Sequence, residues 1–123
     1  MTKITSFRDL VAWQKAMDLA DTVYAATENF PARERFGLAL QMRRAAVSIP
    51  SNLAEGTRHR RPGYLHHVVI ALGSHAELDT QCELATRRHF VSKAQQAALE
   101  QLLGDVGRLV QALREALRRP TNP

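Results

Sequence analysis

Cysteine is almost missing from this chain: Cys82 is the only one, so no intrachain disulfide can form and a reducing, cytoplasmic location is expected. Long apolar runs are missing too. No stretch approaches the ~18 consecutive apolar residues of a membrane span, and the opening MTKITSFRDL lacks the apolar centre of a secretory signal, so no membrane partner is expected. Glycine is sparse and never gathers into a phosphate-cradling loop, and GSHAE around Ser74 is not the GxSxG of a nucleophile elbow. Neither HExxH nor a Glu-x-x-His pair occurs, which argues against zinc-protease and di-iron bundle chemistry. Strand alternation, internal repeats, low-complexity tracts and interdomain linkers are all lacking. At 123 residues the chain is read as a single domain, 1–123, large enough to bury a core without staples.

Basic charge is what the chain has in excess. The formal net charge is +5, and arginine supplies fourteen of the seventeen basic residues. Its planar fork suits phosphate or carboxylate, which fits nucleic acid or an acidic protein partner. Codon usage in a high-GC genome produces the same bias.

Apolar spacing at about 100° per residue predicts an all-α chain of four helices, at about 7–28, 33–57, 62–88 and 92–118. Ser6 and Asp9 have the spacing of a capping box at the first helix, where Leu10, Trp13, Met17, Ala20 and Tyr24 share a face. Asn29 and Pro31 end it. The second helix stops at the Gly56 signal, the third opens at Pro62, and Ser92 caps the fourth. Helix three carries Tyr64, Val68, Ala71, Leu72, His75, Leu78, Cys82 and Ala85 on one side. Helix four has one clean stripe from Leu99 to Leu117, with Gly104 and Gly107 on its polar side as marks of a close contact. Long helices joined by short connections favour an up-down-up-down antiparallel bundle. The tail PTNP is expected to fray.

The second helix is unusual. Phe36, Leu40, Val47 and Ala54 form one apolar stripe; Leu38, Met42, Ala45, Ala46, Ile49 and Leu53 form another. Together they span roughly twice the ~100° arc that a surface helix covers. Such a helix is expected to be buried on two sides, by its own domain and by a second copy, so the protein is expected to oligomerise. Pro50 lies inside this helix, where proline costs ~3 kcal/mol. It either kinks the helix or breaks it in two; the stripes continue at Leu53 and Ala54, which favours a kink.

The order FRDLVAWQKAMDLA, Tyr24, Phe30-Pro31, FGLALQMRRAAVSIPSNLAEGTR and IALGSHAELDT resembles the small four-helix-bundle proteins encoded in 23S ribosomal RNA intervening sequences. The resemblance covers roughly residues 6–90 and is densest around Arg43, Arg44, Ser48, Pro50, Asn52, Glu55 and Gly56. It implies an up-down bundle that assembles as a homopentamer, with no established enzymatic activity and no cofactor. The accessory proteins of diversity-generating retroelements are more distantly similar, and they bind nucleic acid and a reverse transcriptase. Pro62-Gly63, His66-His67 and His75 depart from the family's usual residues.

In an up-down-up-down bundle the termini and the connection between helices two and three share one end. That end gathers Lys3, Arg8, Arg58, Arg60, Arg61, Arg114, Arg118 and Arg119 against Asp9, Glu55 and Glu115, an excess equal to the whole net charge of +5. It is the candidate nucleic-acid surface, and binding there would depend steeply on salt. No aromatic residue interleaves with these arginines, so a base-stacking platform is not expected. The competing reading is a solvated rim with cations at helix C-termini. A second constellation is the polar stripe Gln41, Arg44, Ser48, Ser51, Asn52 and Glu55, with Glu77 opposite. It is either a small-ligand site or, as favoured here, an assembly seam in which Arg44 meets Glu55 or Glu77.

His75, Asp79 and Cys82 imitate a triad, but His75 and Cys82 stand ~10 Å apart along the axis with the aspartate between them. No catalytic residue is assigned. His66 and His67 point about 100° apart on a helix, and His75 with Asp79 offers only two ligands, so no metal site or cofactor is assigned either. The expected protein is a non-enzymatic helical oligomer presenting basic surface to RNA or DNA. The alternative is an interaction scaffold or accessory subunit without nucleic-acid affinity.

Overall fold

The computed structural model describes residues 6–120, so Lys3 and the last three residues of the PTNP tail lie outside the described residues. Four helices make the fold: α1 Val11–Thr27, α2 Leu38–Gly56, α3 Arg61–Arg87 and α4 Lys93–Arg118. Among the described residues there is no strand. Each helix packs on its sequence neighbour and α1 packs on α4, while the diagonal pairs α1 with α3 and α2 with α4 stay apart. The four axes therefore surround one core, an all-α four-helix bundle.

That core is built mainly from small and branched side chains. Leu19, Val23, Met42, Ile49, Leu53, Val68, Leu78, Leu99, Val106 and Val110 are its largest fully buried members. On α1 the buried face is Ala12, Ala16, Leu19, Ala20, Val23 and Ala26. This is turned away from the large residues that periodicity picks out: Trp13 is half-buried, and Met17 and Tyr24 are exposed. Alanines let α1 approach its neighbours closely, and the bulky residues sit on the flank toward α2.

Helix ends depart from expectation where turns intervene. Phe7–Asp9 forms a separate 3-10 turn capped by Ser6, whose hydroxyl accepts from the Arg8 N–H, and α1 begins only after Leu10. Ala32–Glu34 is likewise a 3-10 turn. Helix α2 starts at Leu38, where the Glu34 carboxylate accepts from the Leu38 N–H at 3.1 Å. That carboxylate takes the place of a capping residue at Gly37. Phe36 consequently lies before the helix, 81% exposed.

Helix α2 runs unbroken through Pro50, and its second apolar stripe, from Met42 to Leu53, is buried in the core. The Asn52 amide donates to the Ser48 carbonyl at 2.9 Å, supplying a side-chain bond within the turn that contains the proline.

Gly56 belongs to the last turn of α2 and needs no positive φ. A Cβ there would stand 2.8 Å from Tyr64 Cδ1 and 3.2 Å from His67 Cβ, so glycine is required for the close approach of α3.

Ser92 and Gln95 form a full capping box at α4. Helix α3 ends in a Schellman arrangement: the Phe90 N–H donates to Ala85 O at 2.9 Å and the His89 N–H to Thr86 O at 3.0 Å. His89 holds the left-handed position, at φ 60°, that glycine usually takes. Phe90 then packs on Phe30 with ring centroids 5.3 Å apart and planes inclined by 49°.

Candidate nucleic-acid interface and polar seam

The α2–α3 connection and the end of α4 meet at one end of the bundle. The Arg61 guanidinium donates to the carbonyls of Ala116 and Arg119, so it satisfies backbone acceptors left open by the end of α4. Arg118 pairs with Glu115 at 3.7 Å. Arg8 lies 4.6 Å from the centre of the Phe7 ring. Phe7 in turn stands edge-on to Trp13, with centroids 5.2 Å apart, and Trp13 shares a groove with Ala54 in the last turns of α2. The described members of the basic set thus occupy one end, but in different conditions. Arg58 and Arg60 are exposed and make no side-chain ion pair among the described residues, whereas Arg61 is engaged in holding α4. Arg119 is exposed and Arg114 is half-buried.

The polar stripe of α2 divides into three parts. Ser48 Oγ lies 2.7 Å from Ser74 Oγ on α3. Asn52 Nδ2 donates to Ser48 O and Ser48 Oγ, at 2.9 and 3.1 Å, and Asn52 Oδ1 lies 3.0 Å from His67 Nδ1. Glu55 stands at the end of this row, 3.8 Å from His67 Nε2. Gln41, Arg44 and Glu77 instead line a shallow groove beside Ser48 and Ser74. Arg44 is exposed there and makes no ion pair among the described residues. Ser51 faces the other way, into the α1–α2 groove. Residue order rises along α2, from Ser48 to Asn52, as it falls along α3, from Ser74 to His67.

Several contributors escape sequence reading. Ser74 is small and sits on the apolar side of α3, so nothing in its spacing marks it as a partner. His67 stands out only as half of the His66-His67 pair. Arg43 is drawn to the end of α1, donating to Thr27 Oγ1 at 2.8 Å and to Tyr24 O at 3.3 Å, with its guanidinium 4.5 Å from the Tyr24 ring centre. That buried threonine hydroxyl donates to Val23 O at 2.8 Å, so it is satisfied both ways.

The residues that imitate a triad do not converge. His75 Nε2 lies 2.7 Å from the Leu103 carbonyl, which makes the ring nitrogen a donor. Its ring rests where a Cβ on Gly107 would come within 3.1 Å, which accounts for that glycine. Cys82 is buried, and burial, followed by the nearby Asp79 carboxylate, pushes its thiol up to about 12. A thiol so placed has almost no thiolate near neutrality and is a poor nucleophile.

With the four helices and this seam in place, comparison with known proteins decides the relationship. The 23S rRNA-intervening sequence protein family matches the chain over residues 8–112. The chain belongs to that family. Structural comparison returns a similar fold: a crystal structure from Bacteroides thetaiotaomicron, described as a protein of unknown function from the S23 ribosomal protein family, superposes with a TM-score of 0.78. It is 19% identical, and the match covers 85% of this chain and 96% of that one. At this identity the likeness speaks for the fold. No curated protein matches the chain. Neither finding points to an enzyme family, and among the described residues no helix of this 23S rRNA-intervening sequence protein is long and apolar enough to cross a membrane.

Proposed function

We propose that this protein is a non-enzymatic, cytoplasmic bundle that associates with further copies of itself and presents its basic end to nucleic acid. The observation that carries the reading is the concentration of arginine at one end, with Arg58 and Arg60 exposed and free of carboxylate partners among the described residues. Such groups neutralise phosphates and release counterions when they bind. Membership in a family named for an intervening sequence of 23S rRNA is compatible with this reading.

Self-association is supported by the flank between α1 and α2. Trp13, Met17, Tyr24, Val47, Pro50 and Ala54 line one mostly apolar groove, and Val47 remains 41% exposed although it lies mid-helix. A contiguous apolar surface of this kind is typical of an interface. The pentamer implied by the family resemblance is the expected stoichiometry, and a ring would repeat the basic end around its axis.

The test is light-scattering mass on a sizing column, with an RNA pool or short duplex DNA, at two salt concentrations. An oligomer that binds at low salt and releases at high salt is expected. Joint replacement of Arg58 and Arg60 by alanine should lower affinity and reduce the salt slope by about 2. Val47→Asp should give smaller species. An oligomer indifferent to nucleic acid would favour a protein scaffold instead, and a wild-type monomer would overturn the assembly reading.

A further inference from the structure

Beyond the polar seam, the α2–α3 corner brings together three side chains from three successive elements. Glu55 comes from the last turn of α2, His59 from the connection and His67 from the second turn of α3. One ligand atom from each lies within 4.8 Å of the other two. The rings of His59 and His67 stack with centroids 5.0 Å apart and planes inclined by 28°. From this geometry we infer that Glu55, His59 and His67 form a binding site for a divalent transition-metal ion of the zinc class.

The tautomer of His67 is the first argument. A backbone carbonyl can only accept, so the Asn52 atom that meets Ser48 O is its NH2 group. Asn52 therefore turns its carbonyl oxygen toward His67 Nδ1, 3.0 Å away, and that nitrogen carries the hydrogen. The lone pair of a neutral His67 is then on Nε2, the atom that faces the Glu55 carboxylate at 3.8 Å. That arrangement suits a cation shared between imidazole and carboxylate, which a proton or a metal ion can supply. An amide oxygen on the far ring nitrogen is also the usual support of a metal-bound histidine, since it fixes the tautomer and the ring plane.

The shape of the corner is the second argument. A Cβ on Gly63 would fall 2.8 Å from His59 Cβ and 3.2 Å from His59 Nδ1, and one on Gly56 would fall 3.2 Å from His67 Cβ. Glycine at both positions leaves the room that the two histidines occupy.

The ligand set selects the ion. Two imidazoles and one carboxylate suit zinc, cobalt or nickel, whereas magnesium and calcium prefer oxygen ligands throughout. Ligand atoms around a tetrahedral ion with bonds of ~2.0–2.1 Å are roughly 3.4 Å apart. Closing from the present separations requires rotation of Glu55, whose side chain is 62% exposed, and of the exposed His59, while His67, at 14%, stays with Asn52. Solvent would complete the coordination. The bound ion would tie the end of α2 to the start of α3 across the segment that bears Arg58 and Arg60. The site stands whether or not that segment binds nucleic acid.

The experiment uses the full chain without an affinity tag, titrated with zinc chloride by calorimetry and by thermal melting, and with cobalt chloride by visible absorption. One zinc per chain, a higher Tm and cobalt ligand-field bands are expected, and magnesium chloride should produce none of these. His59→Ala alters an exposed side chain in a connection, so it should leave the apo Tm near wild type and weaken zinc binding at least tenfold. Glu55→Gln should act in the same direction, and His66→Ala should leave binding intact. No saturable zinc binding below 1 mM, or binding unchanged by His59→Ala, would overturn the proposal.

Discussion

Ser48 and Ser74 meet hydroxyl to hydroxyl, 2.7 Å apart, across the α2–α3 seam. Because Ser48 also receives the Asn52 amide, and Asn52 holds His67, the pair begins a continuous row of polar groups between the two helices. Replacing Ser74 by alanine should lower unfolding free energy by about 1–2 kcal/mol, since Ser48 would lose its partner in a partly buried setting. Ser48→Ala should cost a similar amount. The double replacement should cost less than the sum, with a coupling of about 0.5–1.5 kcal/mol. Urea unfolding of the four proteins checks this, and strict additivity would mean that the bond contributes nothing.

Two glycines should respond with opposite signs. Gly73 is exposed on α3 and a Cβ there would meet nothing within 4 Å, so Gly73→Ala should stabilise by up to about 1 kcal/mol through helix propensity. Gly56→Ala should destabilise by about 1–3 kcal/mol, because its methyl group would press on the Tyr64 ring at 2.8 Å. Thermal melting of the two variants measures the difference directly.

The contrast also shows how far sequence can be read. The four helices were legible because Val68, Ala71, Leu78, Leu99, Leu103 and Val110 repeat at helical spacing and are indeed buried. The buried face of α1 was not, because periodicity weights large residues such as Trp13 and Met17 while the close contact is made by alanines. Gly56 does close α2 as its spacing suggests, but the reason was hidden, because glycine serves both as a C-terminal signal and as a place of close approach. Only the ring of Tyr64, from another helix, distinguishes the two. The corner of Glu55, His59 and His67 was illegible for a related reason. Glu55 and His59 are four residues apart, but α2 ends between them, and His67 joins them only through the packing of α3.

Cys82 provides a pH test. Its thiol is raised from 9.0 to about 12 by burial and by Asp79. In the unfolded chain the proton is lost near pH 9, while the folded chain keeps it, so stability from this group is complete below pH 9 and is lost as pH rises toward 12. By pH 10 roughly 1 kcal/mol should be lost relative to pH 7. Tyr64, also raised by burial, acts in the same direction. The alkaline slope in urea unfolding should be shallower for Cys82→Ala than for wild type. Thiol reagents at pH 8 should modify Cys82 only after denaturation.

Arg43 should be irreplaceable by lysine. Its guanidinium donates to Thr27 Oγ1 and Tyr24 O from two different nitrogens while lying over the Tyr24 ring. An ammonium offers a single point and no planar stack. Arg43→Ala and Arg43→Lys should both lower stability by about 1–2 kcal/mol, with lysine recovering less than half. Full recovery by lysine in urea unfolding would show that charge alone is at work.

Three of the four helix seams join sequence neighbours, whereas α1 and α4 meet only after the whole intervening chain has been placed. In kinetic terms, the first three are local contacts of the kind that form fast, and the fourth closes the longest loop. Transient opening of the bundle should therefore begin between α1 and α4. Amide hydrogens along that seam would exchange before those of the α2–α3 pair, whose polar row binds it more tightly.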